Sequence, residues 1–292
     1  MTKDKTTLGI LMMIAAVALL TVMNVLVKLI GPDYHPTQVS FIRNVVAALV
    51  LLPLLLRSGG PAILKTRRPG THFIRGLLGV AGNILYFFAF QHLAVGDVIV
   101  ISQAVPLFVT VMAIVFLGET VGLRRWLAVT AGFIGVLIAV NPTGTVEAAT
   151  LLAVVATGLW ASTILLVRSL AATESPYTIA FYFMVLGALI TGAVQPWYWQ
   201  TPPLELLWLF IGVGVAGAGG QLLMGNALKL AEASIVSPFN YTAIVWAIAF
   251  DAVLWGVLPT WTTLVGAAII TAAGIYIFRR EAVLRKKPQP SI

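Results

Sequence analysis

Ten long apolar runs divide the chain, separated by short polar or turn-forming stretches. They cover residues 8–30, 37–56, 72–93, 97–117, 124–141, 148–169, 177–195, 204–228, 233–256 and 260–279. A helix rises about 1.5 Å per residue, so about 20 apolar residues cross a hydrocarbon layer of ~30 Å. Runs of this length predict membrane-spanning helices rather than strands. Gly31-Pro32, Gly59-Gly60-Pro61, Asn141-Pro142 and Pro202-Pro203 punctuate the runs, as residues that stop helices do. No connection has room for a soluble domain. The pattern predicts an all-α polytopic membrane protein with ten transmembrane helices.

Composition narrows the class. Of 292 residues, 60% are hydrophobic and 10% charged, where soluble domains carry roughly 25% charged residues. Mean hydropathy is +0.99. The bilayer supplies the apolar solvent that such a surface needs. A net charge of +8 would point to nucleic acid if it formed one patch. The basic residues instead sit at the ends of the runs, so no nucleic-acid partner is expected. The absence of cysteine removes disulfides and thiolate metal sites. His35, His72 and His92 show no ligand spacing and are read as loop or interface residues. Neither a metal nor a cofactor is expected. The start of the chain has the charge pattern of a signal peptide, but the run from Leu8 to Ile30 is too long and lacks a convincing cleavage site. It is read as a retained first helix.

Basic residues also set orientation, because cytoplasmic loops are enriched in Lys and Arg. With the N-terminus inside, Lys3, Lys5, Arg57, Lys65, Arg67, Arg68, Arg75, Arg124, Arg125, Arg168, Lys229, Arg279, Arg280, Arg285, Lys286 and Lys287 all fall on the cytoplasmic side. The outer loops carry Asp33, Asp97, Glu147 and Glu205 instead. Both termini are thus expected in the cytoplasm of a bacterial cell, with the protein in the inner membrane. Lys28 and Arg43 break the pattern near the outer ends of the first two spans.

The second half echoes the first. Pro36 and Ser40-Phe41 align with Pro176 and Ala180-Phe181 at an offset of 140, as Lys28 does with Arg168. Leu93-Ala94 aligns with Leu230-Ala231 at an offset of 137, which sets Gln103 opposite Asn240. Five crossings are an odd number, so the duplicate enters from the opposite face and the repeat is inverted. Such symmetry serves alternating access around a site between the halves. The expected units are 1–143, 144–280 and a basic tail at 281–292.

This layout resembles the drug/metabolite transporter superfamily and its ten-helix EamA-type carriers over nearly the whole chain. The residues that carry the likeness are Arg43 in the second span, the stretch Ala94 to Pro106, Leu117-Gly118-Glu119, and Gly266 and Gly274 in the last span. Trp255-Gly256 stand where the second half would repeat the Gly-Glu pair, so that pair is not essential in both halves. Within the superfamily the chain looks most like the aromatic amino-acid exporters. That resemblance implies a carrier that exports aromatic or other amino acids and related metabolites.

Polar groups at membrane depth face protein or a water-filled cavity. Thr21, Asn24 and Lys28 share one face of the first span. Asn83 and Tyr86 lie on a stripe of the third, beside Gly79 and Phe90. The fourth holds Ser102, Gln103 and Pro106. Trp160, Ser162 and Thr163 lie in the sixth, Gln221 and Asn226 in the eighth, and Ser237, Pro238, Asn240, Tyr241, Trp246 and Asp251 in the ninth. Asn83 and Trp160 fall closest to the midplane. Candidate solute contacts are therefore Asn83, Tyr86, Gln103, Trp160, Asn24, Ser162, Gln221, Asn240, Tyr241 and Trp246. The competing roles are interhelical hydrogen bonding for the amides and lipid contact for Trp246. Pro106 and Pro238 each remove a backbone hydrogen bond and are candidate hinges, with a static kink as the alternative. Five glycines from Gly212 to Gly220 read as close helix packing. Lys28 and Arg43 either snorkel to the interface or give a positive vestibule that draws a solute carboxylate. Asp251 either pairs with one of these bases or couples protons.

These features favour a monomeric secondary carrier for a small amphipathic solute. A channel or facilitator, an intramembrane enzyme and a sensor are the rival readings. The chain has no phosphate-binding G-x-x-x-x-G-K-[ST] loop and no His-Glu-x-x-His, and Asp251 is the only acid set more than a turn inside a span. It therefore has neither the parts of an ATP-driven pump nor an evident catalytic set. Reporter fusions at the two ends should both report cytoplasmic placement. Opposite faces would overturn the even number of crossings.

Overall fold

The computed structural model describes residues 3–59, 65–117, 123–140, 147–171, 173–231 and 233–285. Gly60-Pro61, the Gly118-Glu119 pair, the Asn141-Pro142 turn and Lys286-Lys287 lie outside them. The described chain is helical, with no strand: α1 Lys3–Ile30, α2 Pro36–Gly59, α3 Pro69–His92, α4 Val95–Ser102, α5 Val105–Leu117, α6 Leu123–Val140, α7 Ala148–Leu170, α8 Pro176–Gly192, α9 Gln195–Tyr198, α10 Leu204–Leu230, α11 Ala233–Val236, α12 Thr242–Trp255 and α13 Trp261–Arg285. A 3-10 segment, Ser237–Tyr241, joins α11 to α12.

Among the described residues, seven segments are long and apolar enough to cross a membrane. Three shorter apolar helices, Trp126–Val140, Tyr177–Gly192 and Trp261–Ile277, occupy the places of the fifth, seventh and tenth expected spans. The last helix runs on to Arg285, so the tail expected from residue 281 begins as helix. The fourth and ninth spans are broken. The fourth is α4 and α5 around a turn at Gln103-Ala104, and the ninth passes through the 3-10 segment. Pro106 sits in the first turn of α5, and Pro238 opens the 3-10 segment. Proline is tolerated in an opening turn, where its missing N–H has no helical partner to lose. The expected kinks are therefore interruptions, with the prolines restarting the chain.

Packing pairs cross between the halves. α1 lies along α10 and α3 along α7, while α2 packs against α8 and α6 against α13. Exchanging the helices that the expected repeat would match returns the same pairs. Glycines set the closest approaches. A Cβ on Gly220 would lie 2.7 Å from Leu20 Cγ, and one on Gly214 would lie 2.4 Å from Val46 Cβ. A Cβ on Gly266 would lie 2.6 Å from the Gly135 carbonyl oxygen. With no hydrophobic drive between helices in lipid, such close contact carries the association.

Gly266→Ala should thus force α6 and α13 apart and lower the thermal midpoint in detergent, at a cost of about 1–3 kcal/mol. Gly225→Ala, where nothing lies within 4 Å of the added Cβ, should leave the midpoint unchanged or slightly raised. Equal effects of the two would refute the packing role of Gly266.

Candidate functional site

A cavity of about 370 Å³ lies at the centre of the bundle, lined by α1, α2, α3, α4, α5, α7, α10, the 3-10 segment and α12. That volume suits a small organic solute. Ten of the residues expected at a site line it: Asn24, Arg43, Asn83, Tyr86, Gln103, Pro106, Trp160, Gln221, Asn240 and Tyr241. Thr21, Phe90, Ser102 and Ser237 do so too. The rest of the wall is apolar, including Leu20, Met23, Phe87, Ile164 and Met224. Sequence reasoning missed these five because an apolar residue in a span can face lipid, core or cavity equally well.

Two expected contacts are not in the wall. Ser162 Oγ donates to Gly158 O at 3.1 Å and approaches Met112 Sδ at 3.3 Å. Its hydroxyl is satisfied by its own helix and packs towards α5. Trp246 is 36% exposed on the outside of α12, where its ring meets the surroundings of the bundle. Pro238, Lys28 and Asp251 also stand outside the lining.

The two interruptions meet at the cavity. Gln103 Nε2 donates to Asn240 O at 3.1 Å, and these are the residues that the offset of 137 pairs. Breaking a spanning helix frees backbone groups that lipid cannot satisfy. Here the side chain at one break takes up a carbonyl freed at the other. Tyr241 packs over Gly274 of α13 so closely that a Cβ there would overlap its hydroxyl.

A directed chain of hydrogen bonds runs along the wall. Arg43 Nη1 donates to Asn44 Oδ1, Asn44 Nδ2 to Ser40 Oγ, and Ser40 Oγ to Asn83 Oδ1, each at 3.3 Å. A Cβ on Gly187 of α8 would lie 2.6 Å from Asn44 Nδ2, so the glycine makes room for the chain. Tyr86 Oη donates to Thr157 Oγ1 at 2.8 Å, while Thr157 Oγ1 donates to Ala153 O. Trp160 meets Phe183 edge-on, with ring centroids 6.3 Å apart.

Arg43 is 3% exposed. It is a wall residue, seven residues into its helix, and not a snorkelling end residue. Lys28 has a different fate. Its Nζ lies 3.4 Å from Asp251 Oδ1 and 4.4 Å from the centre of the Trp255 ring. Asp251 also accepts from Val95 N at 3.1 Å and Gly96 N at 2.6 Å. It therefore ties α12 to the start of α4, where helix N–H groups carry partial positive charge. Further contacts close the same end. Gln91 Nε2 donates to Gly31 O and Tyr34 O. Gln38 Nε2 donates to Gln200 O, and Gln200 N donates to Gln38 Oε1. At the opposite end, Glu174 accepts from Thr66 Oγ1 and Arg67 N, and Arg68 donates to Ser169.

Apolar spanning helices, two interrupted helices and a semi-polar chamber between them define the class: a polytopic helical membrane protein with a solute-sized chamber. Residues 7–141 and again 148–279 match the EamA-like transporter family, and the chain belongs to that family. It is 32% identical over 248 residues to a riboflavin transporter of Vibrio cholerae, covering 84% of this chain and 83% of the relative. An S-adenosylmethionine uptake transporter of Rickettsia felis is 30% identical over 270 residues, covering 90% of each. A pseudopaline exporter of Pseudomonas aeruginosa is 26% identical over 276 residues, covering 94% and 96%. A solved crystal structure shares the fold with a TM-score of 0.66 at 15% identity, covering 96% of this chain and 99% of that one. The protein is a multi-pass membrane transporter of small solutes and not an enzyme.

Removing the Asp251 carboxylate strands a partly buried ammonium and two buried N–H groups. Asp251→Ala should cost about 3–5 kcal/mol and lower the thermal midpoint. Lys28→Met in the same chain should recover part of the loss. Additive losses in the double variant would show that the two groups do not act together.

Proposed function

We propose that the protein is a monomeric secondary carrier of the bacterial inner membrane that works by alternating access. In this reading ten helices form two inverted five-helix units, with both termini in the cytoplasm. Its solutes are amphipathic and ring-bearing, aromatic amino acids and related metabolites among them. The direction is outward, as the likeness to aromatic amino-acid exporters implies. The observation that carries the proposal is the central chamber with Trp160, Tyr86, Asn83 and Gln103 in its wall. Aromatic faces there stack on a ring, and amides satisfy the polar groups beside it. The two separate family matches and the exchange-symmetric helix pairs support the duplicated plan.

The breaks at Gln103-Ala104 and Ser237–Tyr241 act as the flexible points, with Pro106 and Pro238 restarting the helices. Asn24, Gln221, Asn240 and Tyr241 complete the polar lining. The relatives are named for riboflavin, S-adenosylmethionine and pseudopaline, so the family accommodates varied solutes, and the wall residues of each chain set its choice.

Proteoliposomes offered a labelled amino-acid panel, with and without a proton gradient, should show saturable flux for the aromatic members. Large unsaturated conductance would mean a channel instead. Trp160→Ala should lower the flux of ring-bearing solutes by about tenfold, the loss of one stacking surface and its buried area, with membrane abundance unchanged. Normal flux in that variant would remove Trp160 from the site.

A further inference from the structure

We infer that the chamber selects solutes by charge: it holds a carboxylate on Arg43 and Asn83 and rejects net cations. The inference rests on the carrier reading above and adds the substrate class to it. Two cations of the outer half of the bundle have opposite fates. Lys28 is neutralised by Asp251 and stands outside the cavity. Arg43 lines the cavity, is nine-tenths buried or more, and has no acidic partner among the described residues. No Asp or Glu lines the chamber among those residues either.

An isolated buried charge costs several kcal/mol, about as much as the mutual attraction of a well-made pair returns. A guanidinium has five N–H donors. Among the described residues Arg43 makes one side-chain bond, to Asn44, and its buried Nε has no partner. The site is thus short of an acceptor that carries negative charge. The Phe183 ring lies 6.0 Å from the guanidinium carbon. Arg75 approaches the same ring at 4.6 Å, and its buried Nε is also unpartnered. Arg75 and Phe183 stand outside the lining, so Arg43 is the cation that the chamber presents among the described residues.

The hydrogen-bond chain adds a second donor. Every donation runs away from Arg43, through Asn44 and Ser40 to Asn83. Chains polarised in one direction strengthen along their length. Asn83 Oδ1 is the terminal acceptor, so the Asn83 Nδ2 group is left as a reinforced donor in the cavity wall. Arg43 and Asn83 together match the two oxygens of a carboxylate. Trp160, edge-on to Phe183, adds a ring-stacking surface to the same chamber wall. The fitting class is an aryl-alkyl carboxylate, as the free anion or as a zwitterion.

The test uses the full chain in proteoliposomes with three matched probes: 3-phenyllactate (anion), phenylalanine (zwitterion) and phenylalaninamide (cation), each measured against empty vesicles. Wild-type protein should carry the two carboxylates about tenfold or more faster than the amide, the size of a charge-assisted hydrogen bond. Arg43→Gln should collapse that ratio towards one, and Arg43→Lys should retain most of it by keeping the charge. Amide flux equal to carboxylate flux in the wild type overturns the charge selection while leaving the aromatic carrier reading intact. An equal loss for all three probes in Arg43→Gln at normal abundance also overturns it. If Arg43→Gln does not reach the membrane, the wild-type ratio and Arg43→Lys decide. Flux of none of the three above empty vesicles sinks the aromatic reading itself, and this inference with it.

Discussion

Lipid offers no hydrogen bonds, and every feature of this transporter is arranged around that constraint. Most of the backbone meets it by being helical. At Gln103-Ala104 and at Ser237–Tyr241 the helices stop at membrane depth, where stopping is most expensive. The interruptions are tolerable because each lies against protein and not lipid, and because the Gln103 amide bonds the Asn240 carbonyl. A broken helix placed there yields what an intact one cannot: a polar patch and a point of bending beside a chamber. The same logic governs the charges. Asp251 is held by Lys28 and the first amides of α4, whereas the Arg43 Nε at the chamber wall has no partner among the described residues.

Much of this was legible in the sequence because the bilayer simplifies the code. Long apolar runs located nearly all helices, since length and polarity decide membrane insertion. The offset of 137 set Gln103 opposite Asn240 in the sequence without predicting a contact, and the structure joins the two by a hydrogen bond. Eight of the ten residues expected as solute contacts from depth and type line the cavity: Asn24, Asn83, Tyr86, Gln103, Trp160, Gln221, Asn240 and Tyr241.

The misreadings have a shared cause. Ser162 looked available, but a serine in a helix can return its hydroxyl to the carbonyl four residues back. Trp246 lay at a suitable depth, but depth does not fix azimuth, and its face of α12 points outward. Arg43 seemed an end residue by position, although the side chain reaches inward between α8 and α10. The apolar wall residues Leu20, Met23, Phe87, Ile164 and Met224 carry no signal of their own, because membrane and cavity both accept them. The helix interruptions were half visible: proline marked the neighbourhood, but only packing shows that the chain stops and restarts.

The crossed pairing of the halves has a consequence for how the molecule is made. The principal neighbour of α1 is α10, and about 170 residues are synthesised between the end of one at Ile30 and the start of the other at Leu204. During that interval the first helix lacks its principal neighbour, with α3 as its earlier-made companion. It is suited to waiting, since no charged residue stands between Lys5 and Lys28 and acyl chains solvate its leucines as well as protein does. Gly212 to Gly220 then arrive as a smooth face into which Leu26, Leu20 and Met23 settle. The contact of α1 with α10 is thus completed late in synthesis.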